Sequence, residues 1–233
     1  MESWIEFARG PLFRIALSFM VLGLVYRTVV SVLQVVNAWR LAGDREIPIG
    51  QVVKDTLSWL MPVRLFNQRP VYSIASIVFH VGIIIVPLFL LGHVVLLAGI
   101  LPAAWPTLGD GTADVLTLAM LAALIVMLVG RLSSPNWRRL SHTSDFAMLT
   151  LFGLMVLSGY LAANPTMSPF PARTMVLGHI LLGNAVLFLF PVSKLAHCVL
   201  YPFMQLGFTL GWQLRPASGR DVAVALHKEN EPI

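Results

Sequence analysis

The run GHILLGNAVLFLFPVSKLAH, residues 178–197, decides how this chain is read. It is almost wholly apolar, and about 20 such residues suffice for a helix to cross a bilayer. A histidine stands near each end, His179 and His197, 18 residues apart. At about 100° per residue that spacing is five whole turns, so on one helix both imidazoles share a face, about 27 Å apart along the axis. An ionisable side chain at membrane depth is costly without a partner and marks a functional site. One imidazole near each side of the membrane, on one face, is what two haems stacked across a bilayer require.

Composition sets the class. The 233 residues are 57% hydrophobic and 12% charged, with a mean hydropathy of +0.80. Those values exclude an ordinary soluble domain and a disordered chain, and predict an all-α integral membrane protein. The single cysteine, Cys198, allows neither an internal disulfide nor a thiolate metal cluster, and no C-x-x-C-H occurs. Any haem is therefore b-type, held by axial ligands and packing. The start, MESWIEFARGPLFR, places acids before the first apolar run and lacks a signal peptide's basic start and cleavage site, so that run is expected to stay as a helix.

Five apolar segments, 11–38, 74–101, 112–131, 144–163 and 175–203, predict a five-transmembrane-helix bundle. They make up one membrane domain, residues 1–205, followed by a tail, 206–233. The turn-rich stretches Pro102–Gly111 and Asn164–Ala172 connect helices outside lipid. Arginine and lysine set the orientation. Arg40, Arg45, Lys54, Arg64 and Arg69 follow the first helix, Arg131, Arg138 and Arg139 the third, and Arg215, Arg220 and Lys228 lie in the tail. Only Arg9, Arg14 and Arg173 fall on the other side, so the N-terminus is expected outside and the C-terminus in the cytoplasm, in the cell's inner membrane. Basic residues spread over loops in this way are topogenic flanks, which argues against nucleic acid as a partner. Within the long first inner connection, Val52, Val53, Leu57, Leu60 and Val63 recur at helical spacing, and the segment 49–66 reads as an amphipathic helix on the inner surface.

The second apolar segment carries the other histidine pair, in FHVGIIIVPLFLLGH (79–93). This helix runs outward and the fifth inward, so the pairs meet crosswise. His80 falls at the level of His197, and His93 at that of His179. Thirteen residues leave His80 and His93 about 140° apart on an ideal helix, and Pro87 between them is expected to kink it. Gly82 and Gly92 stand beside the histidines, where a missing side chain lets a porphyrin approach.

These residues resemble the cytochrome b (gamma) subunit of respiratory nitrate reductase and its relatives, over about residues 70–205. The second helix is similar in Phe79, His80, Gly82, Gly92 and His93. The fifth is similar in His179, Gly183, Leu187, Phe188, Leu189, Phe190, Pro191, Ser193, Leu195 and His197, and the loop Ser134-Pro135 with Asp145 also matches. The spacing of the second-helix histidines is closer to the branch that works with heterodisulfide-reductase-like iron–sulfur proteins. The resemblance implies two haem b groups, with axial pairs His80–His197 and His93–His179 and glycines such as Gly183 packing the porphyrin. It implies a quinol oxidised near the outer haem, with electrons passing inward to a cytoplasmic iron–sulfur subunit. The chain is then one subunit of a respiratory oxidoreductase complex, joined to the quinone pool. Arg69, Lys194 and Arg27 are candidates for the propionates. Asp110 and Asp114 are candidates for quinone contact, in a region where the nitrate-reductase branch has a lysine and this chain has none. Two other readings fit the same histidines: a cytochrome b that reduces quinone from another donor, and a haem-free, histidine-based proton-coupled transporter.

Overall fold

In a computed structural model of the protein, residues 1–41, 49–60, 66–67, 69–212 and 218–230 are described. They are almost entirely helical, with no strand among the described residues. Among the described residues, five helices are long and apolar enough to cross a membrane: Glu2–Leu41 (α1), Pro70–Phe89 (α3), Asp110–Ser133 (α5), Thr143–Ala163 (α7) and Ala172–Leu189 (α8). Shorter helices are Ile49–Leu60 (α2), Leu91–Leu96 (α4), Pro135–Leu140 (α6), His197–Trp212 (α9) and Ser218–Ala225 (α10). Arg45, Arg64, Arg215 and the end of the expected amphipathic segment, including Val63, lie outside the described residues.

The chain forms two compact units. The first comprises Met1–Leu17 and Val63–Leu187, the second Ser18–Pro62 and Phe188–Ile233. In the first unit α5 packs against both α3 and α7. Met120, Ala123, Leu124 and Met127 of α5 are buried there, with Phe79 and Val86 of α3 and Phe152 and Val156 of α7. Outward faces are as apolar as this core: Ile125 and Val115 are 61% and 67% exposed. A helix hydrophobic all round has lipid for its solvent, which makes this a multi-pass membrane protein. In the second unit the amphipathic α2 packs against α9.

Two helices depart from expectation, and both departures move a histidine. The fifth apolar segment is not one helix over 175–203. It ends at Leu189, passes through a turn at 190–193 and a 3₁₀ turn at Lys194–Ala196, and restarts as α9 at His197. Pro191 has no N–H to continue the ladder, and its ring opposes the preceding turn. Ser193 then takes an extended conformation, and its Oγ accepts the Leu195 N–H at 3.2 Å. His179 and His197 therefore stand on different helices, and the five-turn arithmetic that put them on one face does not apply.

The second apolar segment stays helical through Pro87 to Phe89. The break comes at Leu90, which is extended (φ −69°, ψ 129°) and forms a short parallel bridge with Leu108. The loop that carries Trp105 and Leu108 folds back onto this break. The Leu108 N–H donates to Phe89 O at 2.8 Å, Trp105 Nε1 donates to Leu88 O at 2.8 Å, and the Trp105 ring stacks on Phe89. The carbonyls that a broken helix end exposes are thereby satisfied. Elsewhere α1 is longer than expected, beginning at Glu2, and α9 runs through residue 206, where the tail was expected to start.

Candidate cofactor site

Breaking the helix at Leu90 re-aims His93. The new helix opens with the His93 and Val94 N–H groups both donating to Leu90 O at 2.9 Å. His93 Nδ1 reaches back to Val86 O at 3.3 Å. Across the unit, His179 Nδ1 donates to Met155 O of α7 at 2.9 Å. One turn after Met155 comes Gly159, and the His179 ring occupies the space a side chain would fill there: a β-carbon would lie 2.8 Å from Cε1 and 3.0 Å from Nδ1. The two imidazoles lie with ring centroids 5.9 Å apart and planes inclined by 32°.

A carbonyl only accepts, so each Nδ1 carries the proton and each Nε2 keeps its lone pair for a metal. That is the usual preparation of a ligand histidine, whose second nitrogen is fixed by a backbone or carboxylate partner. An imidazole nitrogen binds a transition metal at about 2.0 Å, so two bonds in line, plus the reach from each nitrogen to its ring centre, span roughly 6 Å. The observed 5.9 Å separation matches. By donor type and by the distance between ring centres, the pair suits an iron held between two imidazoles. Among the described residues no group of three or more His, Cys, Asp or Glu side chains converges, so the donor set is a pair rather than a cage.

His80 and His197 carry the same signature, each within its own unit. His80 Nδ1 donates to Ser76 O at 2.7 Å, with its ring edge-on to Phe79 at 5.3 Å. His197 Nδ1 donates to Lys194 O at 2.6 Å, across the 3₁₀ turn that the Pro191 break creates, and Cys198 Sγ lies 3.7 Å from its Nε2. All four predicted ligands thus have Nδ1 tied to a main-chain carbonyl.

The expected neighbours divide. Gly82 faces Met120, whose side chain fills the space a β-carbon would need, so this glycine admits a helix contact. Gly92 and Gly183 have nothing within 4 Å of such a carbon. Arg27 donates to Pro191 O at 2.7 Å and Ser193 O at 3.4 Å, so its guanidinium caps the broken helix end. Gly23, one turn before Arg27, admits the Pro191 ring, with a would-be β-carbon 2.6 Å from it. Arg69 lies over Trp137, 4.7 Å from the ring centroid, and Lys194 supplies the carbonyl that holds His197. Asp110 opens α5 as an acid in its first turn, where the helix dipole favours it. Asp114 Oδ1 accepts from Asn164 Nδ2 at 3.1 Å.

Three features were not singled out from the sequence. Gly159 makes room for His179. Asn184 is 3% exposed, and its Nδ2 donates to Ala8 O at 2.9 Å. Glu6, Arg9 and Arg14 line a cleft together with Gly92. The glycine and the asparagine act through partners far along the chain, which no local pattern announces.

Fold and site together define a class: a multi-pass membrane protein with five apolar helices among the described residues and histidines whose Nδ1 atoms are held by main-chain carbonyls. The chain matches a protein of Nitratidesulfovibrio vulgaris, 32% identical over 176 residues, which cover 72% of this chain and 76% of the relative. It belongs to the same family as that protein, whose name states no activity. No family model and no solved structure matches the chain.

Proposed function

We propose that this chain is the membrane cytochrome b subunit of a respiratory oxidoreductase complex. It carries electrons between the quinone pool and a cytoplasmic iron–sulfur partner, with quinol oxidised near the outer side of the cell's inner membrane. The observation that carries the reading is the His93–His179 pair, 5.9 Å apart with both Nδ1 atoms committed to carbonyls. A proton relay needs imidazoles that exchange the proton at either nitrogen; these two have Nδ1 committed to main-chain carbonyls. A haem b at this pair supplies one-electron chemistry, with a potential tuned by ligand, hydrogen bonding and burial.

The protein's own residues do the positioning. Val86 and Met155 carbonyls fix the tautomers, Gly159 admits the His179 ring, and the Leu90 break sets the direction of His93. His80 and His197, prepared in the same way, are the ligands proposed for the second haem that the sequence predicts.

A dithionite-reduced minus oxidised spectrum, with haem quantified as the pyridine haemochrome, tests this. Two b-type haems per chain are expected, falling to one in His93→Ala and in His179→Ala. A haem-free protein would sink the proposal and leave the histidine-based transporter.

A further inference from the structure

The break at Leu90 removes two rungs of a helix ladder, and one loop supplies both replacements. In an unbroken helix Leu88 O would accept from the Gly92 N–H, and Phe89 O from the His93 N–H. Here Leu88 O accepts from Trp105 Nε1 at 2.8 Å, and Phe89 O from the Leu108 N–H at 2.8 Å. The His93 N–H turns to Leu90 O instead. Loop and helix therefore compete for the same two carbonyls. A side chain inserted into the i→i−4 ladder is a recurrent cause of a sharp break.

The competition reaches the imidazole. His93 Nδ1 lies 3.3 Å from Val86 O, which also accepts from the Leu90 N–H at 3.0 Å. On a continuous helix positions 86 and 93 are about 10.5 Å apart along the axis, too far for the ring to bridge. That bond exists only while the helix is broken. The loop is built to keep it so. The Trp105 N–H donates to Pro102 O at 3.0 Å in a tight turn, Pro106 follows with its φ fixed, and Leu108 leads directly into Gly109, the N-cap of α5. Tryptophan at a membrane edge is common as an anchor among lipid headgroups. This one commits its N–H to a main-chain carbonyl and stacks its ring on Phe89, with centroids 5.8 Å apart and planes inclined by 18°.

We infer that Trp105 is a positioning residue for His93: its indole N–H, with the Leu108 N–H beside it, holds open the break that brings the His93 ring to Val86 O and to His179. The assignment rests on the cytochrome reading above, in which His93 is an iron ligand. With the loop lifted, Gly92 and His93 recover their ladder carbonyls, the helix closes, and the ring leaves Val86 O.

The test compares the full-length protein with Trp105→Phe, which keeps a stacking ring and removes the donor, and Trp105→Ala, which removes both. Hydrogen exchange over residues 97–109, read by mass spectrometry, should quicken at least tenfold in Trp105→Ala and by less in Trp105→Phe. Redox titration of the haem absorbance should show one midpoint displaced and the other unmoved. A tenfold change in preference between the two iron oxidation states, about 59 mV for one electron, is expected in Trp105→Ala. In a His179→Ala background, where only the other haem remains, Trp105→Ala should leave its midpoint alone. Trp4, 65% exposed, provides the control, and Trp4→Phe should change neither reading. Faster exchange with both midpoints intact would overturn the proposal and leave the cytochrome standing, as would unchanged exchange in both Trp105 variants. An equal displacement in Trp4→Phe would make the effect one of lipid anchoring and overturn it too. A wild-type protein without haem would overturn the cytochrome reading and this assignment together.

Discussion

A single hydrogen atom decides what His179 can do. With its Nδ1 proton donated to Met155 O, the ring offers Nε2 as a ligand. Gly159 makes that pose possible, because a β-carbon there would lie 2.8 Å from Cε1. Gly159→Ala must therefore push the ring out of line, and overpacking of this kind costs about 1–3 kcal/mol. The expected result is a folded protein that loses one haem or shows a shifted potential for it, read by redox titration of the haem absorbance. The same substitution at Gly153, on the same helix, where a β-carbon meets nothing within 4 Å, serves as the control and should leave both haems unchanged. Gly159→Ala with both potentials intact would show that the glycine is incidental.

At the scale of an element, the break at Pro191 matters more than the helices it separates. The turn places Lys194 O under His197 Nδ1, and Arg27 closes it by donating to Pro191 O and Ser193 O. Arg27→Leu leaves those carbonyls without that donor at membrane depth, at a cost of about 1–3 kcal/mol. It should lower the thermal midpoint of haem release. Pro191→Ala restores an N–H that can continue the ladder of α8, so His197 should rotate away and the haem it holds should be lost, read as haem per chain. Retention of two haems in Pro191→Ala would mean that the break is set elsewhere. The two devices differ in how visible they are in the sequence. Existence of the five helices was legible, because runs of some 20 apolar residues have no other common use. Their interruptions were legible only in part. Proline marks both regions, yet α3 runs through Pro87 and breaks at Leu90, where Leu108 and Trp105 from a distant loop take over the freed carbonyls. The four histidines stood out because a polar ring is rare in such runs. Gly159 and Asn184 did not, since each is defined by a residue more than 15 positions away.

For the whole molecule, five crossings would put the two termini on opposite sides of the membrane. The basic residues then choose the side. Arg138 and Arg139 lie in the connection after α5, and Arg220 and Lys228 in the tail, so these regions are expected in the cytoplasm. Fluorescent-protein fusion at the C-terminus should therefore glow, and alkaline phosphatase fused there should be inactive. Phosphatase inserted in the loop around Trp105 should be active. The critical helix is α8, since its 18 residues make it the shortest of the five, about 27 Å along its axis, and it carries His179. Should both termini report from one side, α8 is the helix that fails to span. His93 and His179 would then still lie 5.9 Å apart, but without a fifth crossing beside them transmembrane electron transfer would have no path. With the termini on opposite sides and the Trp105 loop outside, the His93–His179 end of the first unit faces outward. That is the end at which a quinol would have to release its protons.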